Sequence, residues 1–379
     1  MKHRAWRCLL LACALSLAPR HGAAQVTLNP DISVISRFLL STDDGSRLDE
    51  GIRTFSQPDF SFQELELALQ GYLNPYARAD LFLTLPGPDL ESSSLGVEEL
   101  YASVLRGLPL DLTARFGKYR VDFGKINRQH PHQWPFITQP LVEERFLGEE
   151  GLNDLGISLS ILLPTGDLYT SLTADVLRGG VIGEATGIED TTGSAPFYAN
   201  TARVMGFFPL GDDADLELGL SGYTGIHDPY ARERFWYANL DFKYKYRPSM
   251  YTSLTLQGEA LLNTRKASQK PDFAPFLDAQ GNPECRTITS GGLYVYVDYQ
   301  FLRIFSLGGR YDWSQEPYST ENRARAGSVW FTYFPVEESL GLRLQYQHTL
   351  TEQPGESRAV NFIGLQLMFS LGPHKAHPF

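Results

Sequence analysis

The chain has 379 residues, a formal net charge of −11, 20% charged residues and 12% aromatic residues. Its acidic balance argues against a nucleic-acid partner, which calls for a basic face. Of its three cysteines, Cys8 and Cys13 lie in the N-terminal leader and Cys285 stands alone in a polar stretch, so neither a disulfide nor a cysteine-based zinc site is suggested.

The first residues combine a basic start (Lys2, His3, Arg4, Arg7), a short apolar run from Cys8 to Ala18 and small residues at Gly22-Ala23-Ala24. This pattern predicts a secretory signal over 1–24, cleaved after Ala24. Leu10-Leu11-Ala12-Cys13 is similar to a bacterial lipoprotein cleavage site, but Trp6-Arg7 interrupts the apolar residues before it, which favours the signal reading. Residues 25–379 hold no run of eighteen apolar residues, too few for a membrane-spanning helix.

The rest of the chain alternates instead. Segments near 31–40, 60–72, 76–85, 97–105, 110–120, 154–163, 167–177, 198–208, 214–224, 233–246, 250–262, 292–301, 304–313, 324–334, 340–350 and 359–371 read as strands with apolar and polar residues in turn. Leu155, Ile157, Leu159 and Ile161 oppose Asp154, Gly156, Ser158 and Ser160; Leu342 and Leu344 oppose Arg343 and Gln345. A strand with one face for lipid and one for water crosses a membrane in about 9–11 residues. The mean hydropathy of −0.22 fits, because the two faces cancel. Segment 324–334 is ambiguous, with apolar residues at both parities.

The connections alternate between short Pro/Gly-marked turns, such as Asn74-Pro75 and Pro164-Thr165-Gly166, and long links at 41–59, 121–153, 178–197, 263–291 and 351–358. Short turns belong on the periplasmic side of such barrels and long links outside, which places both chain ends in the periplasm. At lumen-facing positions, acidic residues such as Glu64, Glu66, Asp80, Glu99, Asp111, Asp241 and Glu259 outnumber basic ones such as Arg37, Arg78, Arg203 and Arg310, which predicts a mild cation preference.

In the link 121–153, His130 and His132 form an H-x-H pair. If extended, the pair shares one side and can meet one zinc ion, with Glu143, Glu144, Glu149 or Glu150 as oxygen ligands. Equally, the imidazoles can bond a carboxylate or carbonyl and lock the loop. Arg115, Lys118, Arg120, Lys125 and Arg128 lead into the link, and facing its acidic cluster Glu143, Glu144, Glu149 and Glu150 they form the expected pore constriction. His374 and His377 stand in the tail, and Phe379 is a candidate assembly signal.

The order of elements, a signal peptide, sixteen strands and a long link after the fifth strand, resembles the general and phosphate-selective porins, and the stretches FGKINRQHPHQWPF, FLGEEGLND and NPYARADLFL are similar to barrels described as zinc-regulated outer-membrane receptors. The resemblance implies a loop folded into the barrel. It does not bring the arginine and lysine ladder of the phosphate-selective group, nor the plug of 22-stranded transporters. The expected protein is an all-β transmembrane antiparallel barrel of about 16 strands in the bacterial outer membrane, passing small hydrophilic solutes or ions by passive diffusion, zinc among them. It is not expected to be an enzyme: His227-Asp228 and His348 accompany no nucleophile motif. A closed barrel with a surface-binding or structural role is the alternative class. Expected partners are outer-membrane lipid, the solutes, the barrel assembly machinery and a homotrimer's other copies. No cofactor is expected to be required; zinc, where it enters, binds transiently.

Overall fold

The computed structural model describes residues 30–372 apart from 46–47, 50–51, 54, 88–93, 167, 183–197, 229–230, 271–273 and 337–338. The expected signal over 1–24, most of the link 178–197, His374, His377 and Phe379 lie outside the described residues.

Sixteen strands close into one antiparallel barrel: β1 (Asp31–Asp43), β2 (Asp59–Asn74), β3 (Ala77–Pro86), β4 (Gly96–Val104), β5 (Thr113–Arg120), β6 (Asn153–Leu163), β7 (Tyr169–Leu177), β8 (Ala199–Pro209), β9 (Ala214–Asp228), β10 (Glu233–Ser249), β11 (Thr252–Ala267), β12 (Arg286–Phe301), β13 (Phe305–Glu316), β14 (Ser319–Val336), β15 (Leu340–Gln353) and β16 (Glu356–Leu371). Each pairs with its sequence neighbours, and β1 pairs with β16 from Val34↔Leu371 to Asp43↔Phe362, so the barrel has no free edge. Closure satisfies the backbone hydrogen bonds that lipid cannot.

Burial runs opposite to that of a protein folded in water. On β6, Leu155, Ile157 and Leu159 are exposed while Asp154 and Ser158 are buried. Leu220 and Leu240, opposite each other on β9 and β10, are 60% and 59% exposed, whereas Arg203, Asp241, Arg310 and Asp312 on the inner face are at most 3% exposed. Lipid is the solvent that makes this arrangement stable. Near the turn between β12 and β13, Tyr299, Phe301, Phe305, Phe331 and Tyr333 stack with centroids 5.2–5.9 Å apart, an aromatic band of the kind that marks a membrane interface. Leu240→Arg in the apolar belt is expected to cost about 2–4 kcal/mol in a lipid-refolding titration if that residue lies near the midplane. A cost near zero would place it outside the hydrocarbon.

Two expectations need correction. The fifth strand starts at Thr113, because Pro109–Asp111 forms a 3₁₀ turn with Leu110 and Asp111 at positive φ; Asp111 is exposed at that turn, not in the lumen. The link 351–358 is a tight hairpin turn at Pro354-Gly355, since β15 and β16 stay paired out to Gln353↔Glu356. Segment 324–334 does form a strand, within β14, and its apolar residues at both parities have a cause: the inner face, with Ala324, Ala326 and Trp330 buried, packs against protein while Val329 and Phe331 face outward.

Candidate functional site

Residues 121–153 leave β5 and fold into the barrel. Asn127 closes the base: its amide donates to the Val121 and Leu152 carbonyls at 2.9 and 3.0 Å, and its Oδ1 accepts from the Leu152 N–H at 2.7 Å. Gly124 lies at φ +67°, and a Cβ there would fall 2.1 Å from Glu259 Oε2, so the backbone passes directly over the wall. The Ile126 N–H donates to Glu259 Oε1 at 2.7 Å, and the Ile137 N–H to Gln345 Oε1 at 2.5 Å.

Apolar groups then fill the gap between segment and wall. Phe123 meets Tyr223, Phe136 meets Tyr296 and Trp330, and Phe146 on helix α1 (Leu141–Leu147) meets Tyr237, with centroids 5.4–5.9 Å apart. Arg310 fastens the middle, stacking 4.2 Å over Phe136 and donating to the Thr138 carbonyl at 2.7 Å. The segment thereby divides the lumen. On the long-link side lies a cavity of about 860 Å³ bordered by Arg145, Arg286 and Tyr318. Two cavities of about 250 Å³ each lie on the other side, one bordered by Ser33, Gln70 and Arg115, the other by Ser339, Leu340 and Ser370; His132 borders both.

The predicted constriction residues separate. Arg120 pairs with Glu98 at 2.7 Å, Lys125 with Glu217 at 2.5 Å, and Arg128 with Asp122 at 3.5 Å; Arg115 lies over the rings of Tyr101 and Tyr119. Lys118 does not line the lumen: it stands opposite outward-facing Leu100, its ammonium donating to the Val97 carbonyl at 2.9 Å. Among the loop carboxylates, Glu144, Glu149 and Glu150 are exposed. Glu143 is buried without a hydrogen-bond partner for Oε1, and burial, with Glu259 and Asp241 nearby, holds its pKa well above the ordinary carboxylate range. Arg120, Lys125 and Arg128 thus pair with acids on the wall or beside them in the chain, Arg115 lies on tyrosine rings and Lys118 on a carbonyl, so the expected field between loop acids and incoming bases is not formed.

The histidines do meet carboxylates, but not those expected from the loop. Their segment is a 3₁₀ turn, Pro131–Gln133, with His130 as its N-cap, and the two rings stack at 5.6 Å. His130 Nδ1 lies 2.9 Å and His132 Nδ1 3.4 Å from Glu66 Oε2 on β2, while His130 Nε2 lies 2.8 Å from Glu99 Oε1 on β4. Glu143, Glu144, Glu149 and Glu150 therefore do not serve as the oxygen ligands; strand register brings Glu66 instead. A bulge adds a third wall carboxylate. Phe82 opposes Glu99 but Leu83 opposes Val97, so Glu98 is the extra residue and turns inward beside Glu99. Simple alternation would have put Glu98 in lipid, and so missed it.

Glu98 accepts from Arg120, and Glu99 Oε2 accepts the Arg120 N–H at 2.9 Å, so the wall side of the cluster is held firmly. Burial pulls the His130 pKa down, but Glu66, Glu98 and Glu99 outweigh it and hold it well above the ordinary value; burial leaves His132 below its own. Although close to Glu66, His130 Nδ1 and His132 Nδ1 lack hydrogen-bond geometry to it, and Glu66 Oε2 is likewise unpartnered.

A closed sixteen-stranded barrel with an apolar outer belt, a charge-paired inner wall and an inward segment after β5 is the porin-like architecture of bacterial outer membranes. The outer-membrane channel DcaP of Acinetobacter baumannii is similar in fold, with a TM-score of 0.58 at 13% identity over 90% of this chain and 97% of that one. So are an anion-selective porin from Comamonas acidovorans (TM-score 0.57, 9% identity, 90% and 99% covered) and OprB of Pseudomonas putida (0.52, 11%, 90% and 94%). No protein-family model matches the chain. By sequence the chain belongs to the same family as an uncharacterized protein of Aquifex aeolicus (strain VF5), 30% identical over 351 residues that cover 84% of this chain and 70% of that protein.

Proposed function

We propose that the chain is a passive channel of the bacterial outer membrane for small hydrophilic solutes and ions, zinc among them, with the segment 121–153 setting the limiting width. The single observation that carries this reading is the polar wall. Inside the apolar belt the charges are paired across and along strands, as in Arg203–Asp241 at 2.5 Å and Arg310–Asp312 at 2.7 Å, which keeps a wall wettable without a large net charge. Selection then comes from width and from the residual acidic excess rather than from a conformational cycle.

A second reading, a closed barrel with a structural or binding role, draws on the aromatic cluster packed between segment and wall. Solute flux separates the two. Proteoliposomes carrying the refolded protein are expected to swell in small sugars and to stop swelling as the sugar grows, and in a potassium chloride gradient the reversal potential should have the cation sign. Swelling no faster than in protein-free vesicles would favour the closed barrel, and an anion-sign potential would refute the charge argument.

A further inference from the structure

We propose that Glu66, His130 and His132 form a binding site for one divalent transition-metal ion of the zinc class, held through Glu66 Oε2, His130 Nδ1 and His132 Nδ1. These three atoms converge within 4.8 Å of one another. Their side chains are at least nine-tenths buried, at 4%, 8% and 9% exposed, and each of the three atoms is without a hydrogen-bond partner. Buried polar atoms left in this state ordinarily cost stability, so three of them aimed at one point call for an occupant.

The spacing suits a metal. Ligand atoms about 2.0–2.1 Å from a tetrahedral ion stand roughly 3.3 Å from one another, and Glu66 Oε2 lies 2.9 and 3.4 Å from the two nitrogens. Two imidazoles and a carboxylate select a borderline-soft ion over magnesium or calcium, which prefer all-oxygen sites. The outer contacts agree as well. With Nδ1 given to the metal, His130 keeps its proton on Nε2 and donates it to Glu99 Oε1 at 2.8 Å, the carboxylate–histidine arrangement that orients metal-bound imidazoles.

Charge complements the geometry. With neutral imidazoles, Glu66, Glu98 and Glu99 bring three negative charges to the site, of which Glu98 and Glu99 share Arg120, and a dication suits what is left. His132 borders the two cavities on the short-turn side, which supply a route of entry and room for a water in a fourth position. An ion there ties the inward segment to β2. So enclosed a site retains its ion rather than passing it along, and the inference stands whether or not the barrel conducts.

The test uses the full mature chain, refolded in detergent, with His374 and His377 replaced by alanine to clear the tail. Equilibrium dialysis against zinc chloride, with bound metal counted by mass spectrometry, is expected to give one zinc per chain. His130→Ala and His132→Ala should each weaken binding by at least about 100-fold, and Glu99→Gln, which leaves all three ligands in place, by about 10–100-fold. Heat-modified gel mobility checks closure of each barrel. His132→Asn, at the cavity-facing end of the cluster, replaces any variant that fails to fold. No zinc on the parent, or one zinc retained after either histidine is replaced, overturns the site.

Discussion

Replacing Arg310 by alanine is expected to destabilise the protein by about 3–5 kcal/mol, because it leaves Asp312 buried and uncompensated. Both side chains of that pair are 0% exposed. The same guanidinium stacks on Phe136 and donates to the Thr138 carbonyl, the Thr138 hydroxyl at 3.1 Å and the Gln139 carbonyl at 3.2 Å, so its loss also frees the middle of the inward segment. Arg310→Lys keeps the charge but not the planar fork, and should fall between the two. Arg310→Met with Asp312→Leu removes both charges and is expected to recover the part of the loss that comes from the stranded Asp312 charge, but not the contacts to the segment. Urea unfolding in lipid vesicles measures all three; a cost for the alanine variant below about 1 kcal/mol would show that the pair is well solvated.

The second large effect concerns width. Exchanging residues 124–150 for a short Gly-Ser turn should leave the barrel closed, since its strands are joined by their own ladders, and raise conductance severalfold. A large part of the segment's hold is apolar: Val121, Phe123, Phe136, Val142 and Phe146 are each at most 1% exposed against Tyr223, Tyr237, Tyr294 and Trp330 on the wall. Phe136→Ala is the milder form. Truncating a buried phenylalanine typically costs about 3–5 kcal/mol, and here the cost falls on the docking of the segment, so frequent openings should appear in current records. Unchanged conductance in the shortened protein would mean that the narrowest point lies elsewhere.

The barrel was legible in the chain because lipid enforces a strict two-residue alternation, and Leu155, Ile157 and Leu159 against Asp154 and Ser158 show it without ambiguity. Alternation failed where the backbone left the regular ladder. Glu98 faces inward because of a bulge that no residue in its neighbourhood announces. Trp330 fills the lumen against Phe136, and the mixed parity of its strand was the only hint of that packing. His130 and His132 stood out as a pair, but their partner Glu66 is more than sixty residues earlier and is delivered by strand register, which local spacing does not encode. The loop acids looked closer in sequence, but they lie on a helix turned toward β12 and β13 or exposed beyond it.

Single-channel recording of refolded residues 25–379 in a planar bilayer tests the central claim most directly. Discrete, steady steps of small conductance, larger in the protein lacking residues 124–150, are the expected result. Bilayers that stay silent with both proteins, although each is folded by heat-modified mobility, would contradict a channel and leave a closed barrel.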